Sequence, residues 1–97
     1  MDDPMKIARI FKALSVDTRV RILQLLKERV LCVGALAARL DVSSAAVSQH
    51  LRILRNADLV VPEKRANYVH YRVNTETLEA WRQVADELLS SDEEQEA

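Results

Sequence analysis

The chain has 97 residues, enough for one domain and one hydrophobic core. Fourteen Lys and Arg stand against fifteen Asp and Glu, a formal charge of -1 that does not support a simple polybasic nucleic-acid binder, and one cysteine, Cys32, excludes an intrachain disulfide or an all-cysteine metal site within one chain. The distribution of charge says more than its total: residues 1–72 hold 13 basic and 7 acidic side chains, residues 73–97 hold 1 and 8. A basic body with an acidic tail fits a nucleic-acid-binding chain, and equally a protein with a solvated last helix.

One Gly and two Pro leave few breakers, so helix should dominate. Asp3-Pro4 reads as N-cap and first position of a helix carrying Ile7, Ile10, Phe11 and Leu14 at helical spacing. Ser15 is placed to cap a second helix, with Asp17 at its positive end, running to about Lys27 with Val20, Leu23 and Leu26 on its apolar face. Residues 30–33 read as a short strand, 35–40 as a short helix and Asp41-Val42 as a tight turn. Ser43 then caps a longer helix to about Ala57, with Val47, Leu51 and Leu54 inward.

Residues 59–61 and 68–73 are strand-like. Residues 62–67 between them read as a charged hairpin tip, in which Asn67 is best suited to positive φ. Pro62 cannot donate a ladder bond, which points to a small hairpin with exposed edges. Thr75 caps a last helix to about Ser90, with Leu78, Trp81, Ala85 and Leu88 as its stripe and Val84 and Leu89 beside it. Residues 91–97 are acidic and expected to fray. The order α-α-β-α-α-β-β-α gives a mainly α fold with a small β-hairpin. Residues 1–90 form a single winged helix-turn-helix domain, and 91–97 form a tail. Lys6, Arg9 and Lys12 interrupt the N-terminal apolar residues, so no signal peptide is expected. No apolar run approaches the roughly 18 residues of a membrane span, so a cytoplasmic protein is expected.

A helix that reads DNA presents small polar groups to base edges and apolar groups to its own core. With Val47 and Leu51 inward, Ser44, Ala45, Ser48, Gln49 and Arg52 fall on the other side, next to the cap Ser43. Ser hydroxyls reach base edges or phosphates, Gln49 can pair with adenine, and the short Ser44 and Ala45 let the helix lie deep in a groove. A plain solvated helix face has the same composition. Lys64 and Arg65 at the hairpin tip suit phosphates or a minor groove, and suit protection of an exposed strand edge as well.

The segment Ala13-Leu14-Ser15-Val16-Asp17-Thr18-Arg19-Val20-Arg21-Ile22-Leu23 resembles the N-terminal signature of the arsenical-resistance-repressor (ArsR) family. Ser43 to Leu54, with Val-Ser-Gln-His-Leu at 47–51, resembles its recognition helix, and Tyr68-Val69-His70-Tyr71-Arg72-Val73 its returning wing strand. The resemblance spans roughly residues 5–90. It implies a dimeric prokaryotic winged helix-turn-helix repressor that leaves an inverted-repeat operator on double-stranded DNA when an effector binds. Ser44, Ser48 and Gln49 match positions at which the family contacts the major groove, while Ala45 stands where the family is often polar. The family usually has Asp-Pro before Thr18; here Val16-Asp17 stands there, which assigns the cap to Ser15.

Metal-sensing members often carry a Cys-x-Cys pair, of which only Cys32 is present, in Cys32-Val33-Gly34. Thr75, Thr77, Leu88 and Ser91 stand roughly where other members place ligands on the last helix, and none is a carboxylate or imidazole. His50 and His70 lie in the reading helix and the wing strand. No metal and no cofactor is therefore expected; the effector is unknown, either a small molecule or a redox signal. Cys32 reads as a small buried residue, with a thiol-based redox or metalloid sensor as the alternative.

The resemblance places the first and last helices in a homodimer interface formed by Ile7, Ile10, Phe11, Leu78, Trp81, Ala85 and Leu88, with Trp81 as anchor. The two reading helices are then expected about 34 Å apart. Asp86, Glu87, Asp92, Glu93, Glu94 and Glu96 should stay clear of phosphate. A winged-helix protein-interaction module is the alternative function. No Gly-rich phosphate loop, metal triad or Cys/His spacing suggests an enzyme.

Overall fold

The computed structural model describes residues 3–91. Helix α1 (Pro4–Ala13) starts where the sequence predicts. The Asp3 carboxylate accepts from the Met5 N–H at 3.2 Å, and Pro4 occupies the first turn, where its missing N–H costs nothing. Its inner residues are Ile7, Ile10 and Ala13. Ser15 does not cap the next helix. Its hydroxyl turns back and donates to the Lys12 carbonyl at 2.7 Å, closing α1 instead. Helix α2 (Asp17–Glu28) begins at Val16 with no side-chain cap bond, and the Asp17 carboxylate accepts from the Thr18 N–H at 2.9 Å.

The inner face of α2 also differs from expectation. Val20 is 37% exposed, whereas Ile22 is fully buried beside Leu23 and Leu26. The buried stripe is 19, 22, 23 and 26, so its first member is Arg19. A charged residue at the head of the stripe conceals the true phase of the helix.

Strand β1 (Leu31–Cys32) is followed directly by α3 (Val33–Leu40), which starts two residues earlier than predicted. Asp41 ends α3 at φ 55°, a left-handed conformation that Asp tolerates better than most residues. Helix α4 (Ser44–Asn56) is capped by Ser43, whose Oγ accepts from the Ala46 N–H at 3.0 Å. Helices α3 and α4 with their tight turn are the helix-turn-helix.

Strand β2 (Val60–Arg65) runs through the segment expected to be the hairpin tip, and β3 (Tyr68–Val73) returns against it. The register from Val60↔Val73 to Arg65↔Tyr68 leaves a two-residue loop, Ala66-Asn67. Positive φ falls on Ala66, at 53°, and not on Asn67, because register puts Ala66 at the first loop position. The sheet order is β1-β3-β2, all antiparallel. β2 is thus an edge, which is why Pro62 is tolerated opposite Tyr71.

Helix α5 (Thr75–Leu89) is capped by Asn74 and not by Thr75. Asn74 Oδ1 accepts from the Thr77 N–H at 3.3 Å, while the Asn74 N–H is pinned to the Leu59 carbonyl at 2.8 Å. The core joins α2, α3, α4 and the start of β2, with Ile22, Leu36, Val47, Leu54 and Leu59 fully buried. No residue of α5 is fully buried. Residues 92–97 of the acidic tail lie outside the described residues. No helix among the described residues is long and apolar enough to cross a membrane.

Candidate nucleic-acid interface

Helix α4 divides its side chains cleanly. Val47, Leu51 and Leu54 anchor it in the core, and Ser44, Ala45, Ser48, Gln49 and Arg52 are exposed on its outer side. Ser43, also exposed, fixes the first turn, whose unpaired N–H groups and positive dipole end favour an anion such as phosphate. A cleft of about 420 Å³ separates α4 from the wing. It is lined by Ser48, Arg52 and Arg55 from the helix and Tyr71 from β3. Arg55 was not singled out in the sequence; its spacing of three from Arg52 was the signal that pointed to it.

The two wing cations are not equivalent. Successive residues of a strand face opposite sides. Lys64 shares its side with Tyr71 and Val73, which pack on the core, and Arg65 shares the other with Glu63, Tyr68 and Arg72. Glu63 Oε2 holds Arg65 at 3.0 Å, and its Oε1 holds Arg72 Nε at 3.2 Å. The hydrogen bond from Arg65, with help from Arg72, keeps the Glu63 carboxyl below its ordinary range. Lys64 is exposed and makes no ion pair among the described residues. Arg72 was also missed; the alternation with Tyr68 and His70 placed it on that face.

His50 lies on the reading helix, and its Nδ1 accepts from Arg19 Nη1 at 3.4 Å. Cys32 is half-buried at the N-cap of α3 and gives that helix no side-chain cap bond. Register sets it directly opposite His70, whose Nδ1 is buried without a hydrogen-bond partner among the described residues. Thirty-eight positions separate the two in sequence, so no spacing motif could show the adjacency. Among the described residues no three His, Cys, Asp or Glu side chains are grouped to hold a metal.

On the expected dimer helices, Ile7 and Ile10 are buried within the protomer. Leu78, Trp81 and Ala85 are half-buried, while Phe11 is 37% and Leu88 43% exposed. Ile10 and Trp81 line the same cleft between α1 and α5, so part of the expected interface is already used inside one chain.

Residues 17–61 match the model of a family described as bacterial regulatory protein, arsR family. The chain is 38% identical over 93 residues to a transcriptional repressor SmtB homolog from Synechocystis, an alignment covering 95% of this chain and 70% of the relative. An ArsR-like transcriptional regulator from Rhodococcus is similar in structure, with TM-score 0.78 and 31% identity over 87% of this chain and 79% of that one. A homodimeric winged helix-turn-helix DNA-binding domain from Mycobacterium bovis matches with TM-score 0.72 and 26% identity, covering 93% and 92%. The chain thus belongs to the arsR family of bacterial regulatory proteins, as a DNA-binding transcriptional regulator of winged helix-turn-helix fold.

Proposed function

We propose that the chain is a repressor that binds an inverted-repeat operator as a homodimer, with residues 1–90 acting as one winged unit and residues 91–97 as an acidic tail. The observation that carries this reading is the outer side of α4: Ser44, Ala45, Ser48, Gln49 and Arg52 exposed over a fully buried stripe, beside a cleft lined by Arg52 and Arg55. Ser48 and Gln49 read base edges, Arg52, Arg55 and Lys64 neutralise phosphates, and Ser43 orients the first turn. Phe11 and Leu88, left exposed on α1 and α5, meet their counterparts across a two-fold axis, with Trp81 beneath them. The M. bovis domain, a homodimer, supports this arrangement.

The test is fluorescence anisotropy of the protein against DNA from upstream of its own gene and against scrambled DNA. Tighter binding to the upstream DNA, falling steeply with salt, supports the proposal. Equal and weak binding to both favours the protein-interaction module. A thiol role for Cys32 is favoured by its place opposite His70; it predicts that hydrogen peroxide, which oxidises a lone thiolate to a sulfenic acid and is itself reduced to water, weakens operator binding by the native protein and not by Cys32→Ser.

A further inference from the structure

Arg19 is a cation that the fold buries with no carboxylate beside it among the described residues. At 7% exposure, its Nε donates to the Ala13 carbonyl at 2.6 Å, its Nη2 to the Lys12 carbonyl at 3.2 Å and its Nη1 to His50 at 3.4 Å. These bonds use three of the five N–H groups of a guanidinium. Among the described residues it has no carboxylate within ion-pair distance. Taking a charge out of water is costly unless a counter-charge and full hydrogen bonding offset it. The carbonyls that end α1 offset part of the charge through their negative dipole end, and two N–H groups are left with no protein acceptor among the described residues.

The surroundings suit an anion with an apolar body. Arg19 lines a cleft of about 290 Å³ between α1 and α4, with Arg9, Lys12, Ala13, Ile53 and Ala57 among its other walls and no carboxylate. That is close to the lower end, about 300 Å³, of pockets that take small ligands. Arg9 and Lys12 are exposed and, among the described residues, make no ion pair. Ile53 is 41% exposed there, a large apolar side chain left uncovered between cations. At 100° per residue, Arg9 lies about 160° around α1 from Phe11. The cleft and the exposed Phe11 are therefore on different flanks of α1, although Arg9 and Ala57 also border an adjoining cleft with Ile10 and Trp81.

We propose that this cleft binds a small organic anion, a carboxylate on a compact apolar body. The carboxylate sits among Arg9, Lys12 and the remaining N–H groups of Arg19, and the body lies against Ala13, Ile53 and Ala57. Inorganic phosphate shares the charge but not the apolar contact. The site adjoins the reading helix twice, through Ile53 and through the Arg19 bond to His50. The binding claim itself does not depend on the chain binding DNA.

The experiment titrates three probes into ¹⁵N-labelled full-length protein: 2-naphthoate, its neutral counterpart 2-naphthylmethanol, and inorganic phosphate. The expected result is saturable shifts of the Ala13, Ile53 and Ala57 amides with 2-naphthoate, at a Kd no weaker than about 1 mM. The alcohol and phosphate bind at least about tenfold more weakly. Arg9→Gln with Lys12→Gln, both on exposed side chains, weakens naphthoate about threefold to tenfold with an unchanged melting temperature. No saturable shift at these amides overturns the proposal, and so does equal binding of the alcohol or of phosphate. A shallower salt dependence of operator binding in the double variant, without any probe, also overturns it by assigning these cations to the DNA backbone. Failure to bind any operator sinks the repressor reading alone and leaves the naphthoate result standing.

Discussion

Lys64 and Glu63 make opposite predictions for the same wing. Lys64 is exposed and free of ion pairs among the described residues, while Arg65 is already paired at 3.0 Å with Glu63, which it shares with Arg72. Each phosphate contact contributes a slope of about 0.9 to the fall of log affinity with log salt. A dimer carries two wings, so Lys64→Gln flattens the slope by about 1.8 and weakens binding about fivefold per wing near 0.15 M salt. Arg65→Gln does less, because it removes a cation that is already paired. Glu63→Gln releases Arg65 at the tip of each of the two wings and steepens the slope, by as much as about 1.8. The assay is anisotropy with one operator duplex at four or more KCl concentrations. If Lys64→Gln leaves the slope unchanged, the wing does not touch phosphate. If Arg65→Gln has the larger effect, the Glu63 pairing does not persist on DNA.

Ser43→Ala removes the side-chain acceptor that caps α4, costing about 1 kcal/mol; circular dichroism should show melting about 4–8 °C lower. Leu54→Ala, at a fully buried position, costs about 2–5 kcal/mol in urea unfolding, and a loss below 1 kcal/mol refutes its place in the core. Ala66→Gly relieves the positive φ of 53° and raises stability by about 0.5–1 kcal/mol in the same assay. The Glu63 carboxyl, held below its ordinary range chiefly by Arg65, titrates by NMR below an unperturbed glutamate. Its pairing therefore contributes above the ordinary carboxylate range and is lost as pH falls through the lowered value. Arg65→Gln moves that titration back up, and an unmoved midpoint contradicts the assigned cause.

Periodicity was enough where one face is wholly apolar. Val47, Leu51 and Leu54 are buried as read, and Ser43 caps as read, because a hydroxyl just before a helical stripe has one obvious acceptor role. The same reasoning failed at Ser15 and Thr75. Ser15 is claimed by the end of the preceding helix, bonding back to Lys12 three residues earlier, and Thr75 loses the cap to its neighbour Asn74, whose N–H is pinned by Leu59. Periodicity alone puts Val20 inside because the true stripe begins with an arginine, which is accepted inside only because the end of α1 and His50 supply acceptors. Ala66, Arg72 and the Cys32–His70 adjacency all follow from strand register, which a single sequence does not state.

The near-neutral total charge does not argue against a DNA-binding role, because charge acts over a limited range. Near physiological salt the screening length is about 8 Å, so a phosphate responds to the groups beside it and not to the sum over the chain. The cleft between α4 and the wing is lined by Arg52 and Arg55 and by no carboxylate. The one wing carboxylate, Glu63, faces the opposite side of the sheet from Lys64 and is held there by two arginines. Charges of one sign are thus gathered on the reading side, while Glu76, Glu79, Asp86 and Glu87 are carried on α5, where Glu79 is matched by Arg82 at 2.7 Å. Moving a single carboxylate to the reading side, as in Ser48→Glu, should abolish operator binding without changing the net charge of the wing or the melting of the fold. Retained binding by that variant would show that α4 is not the surface that meets DNA.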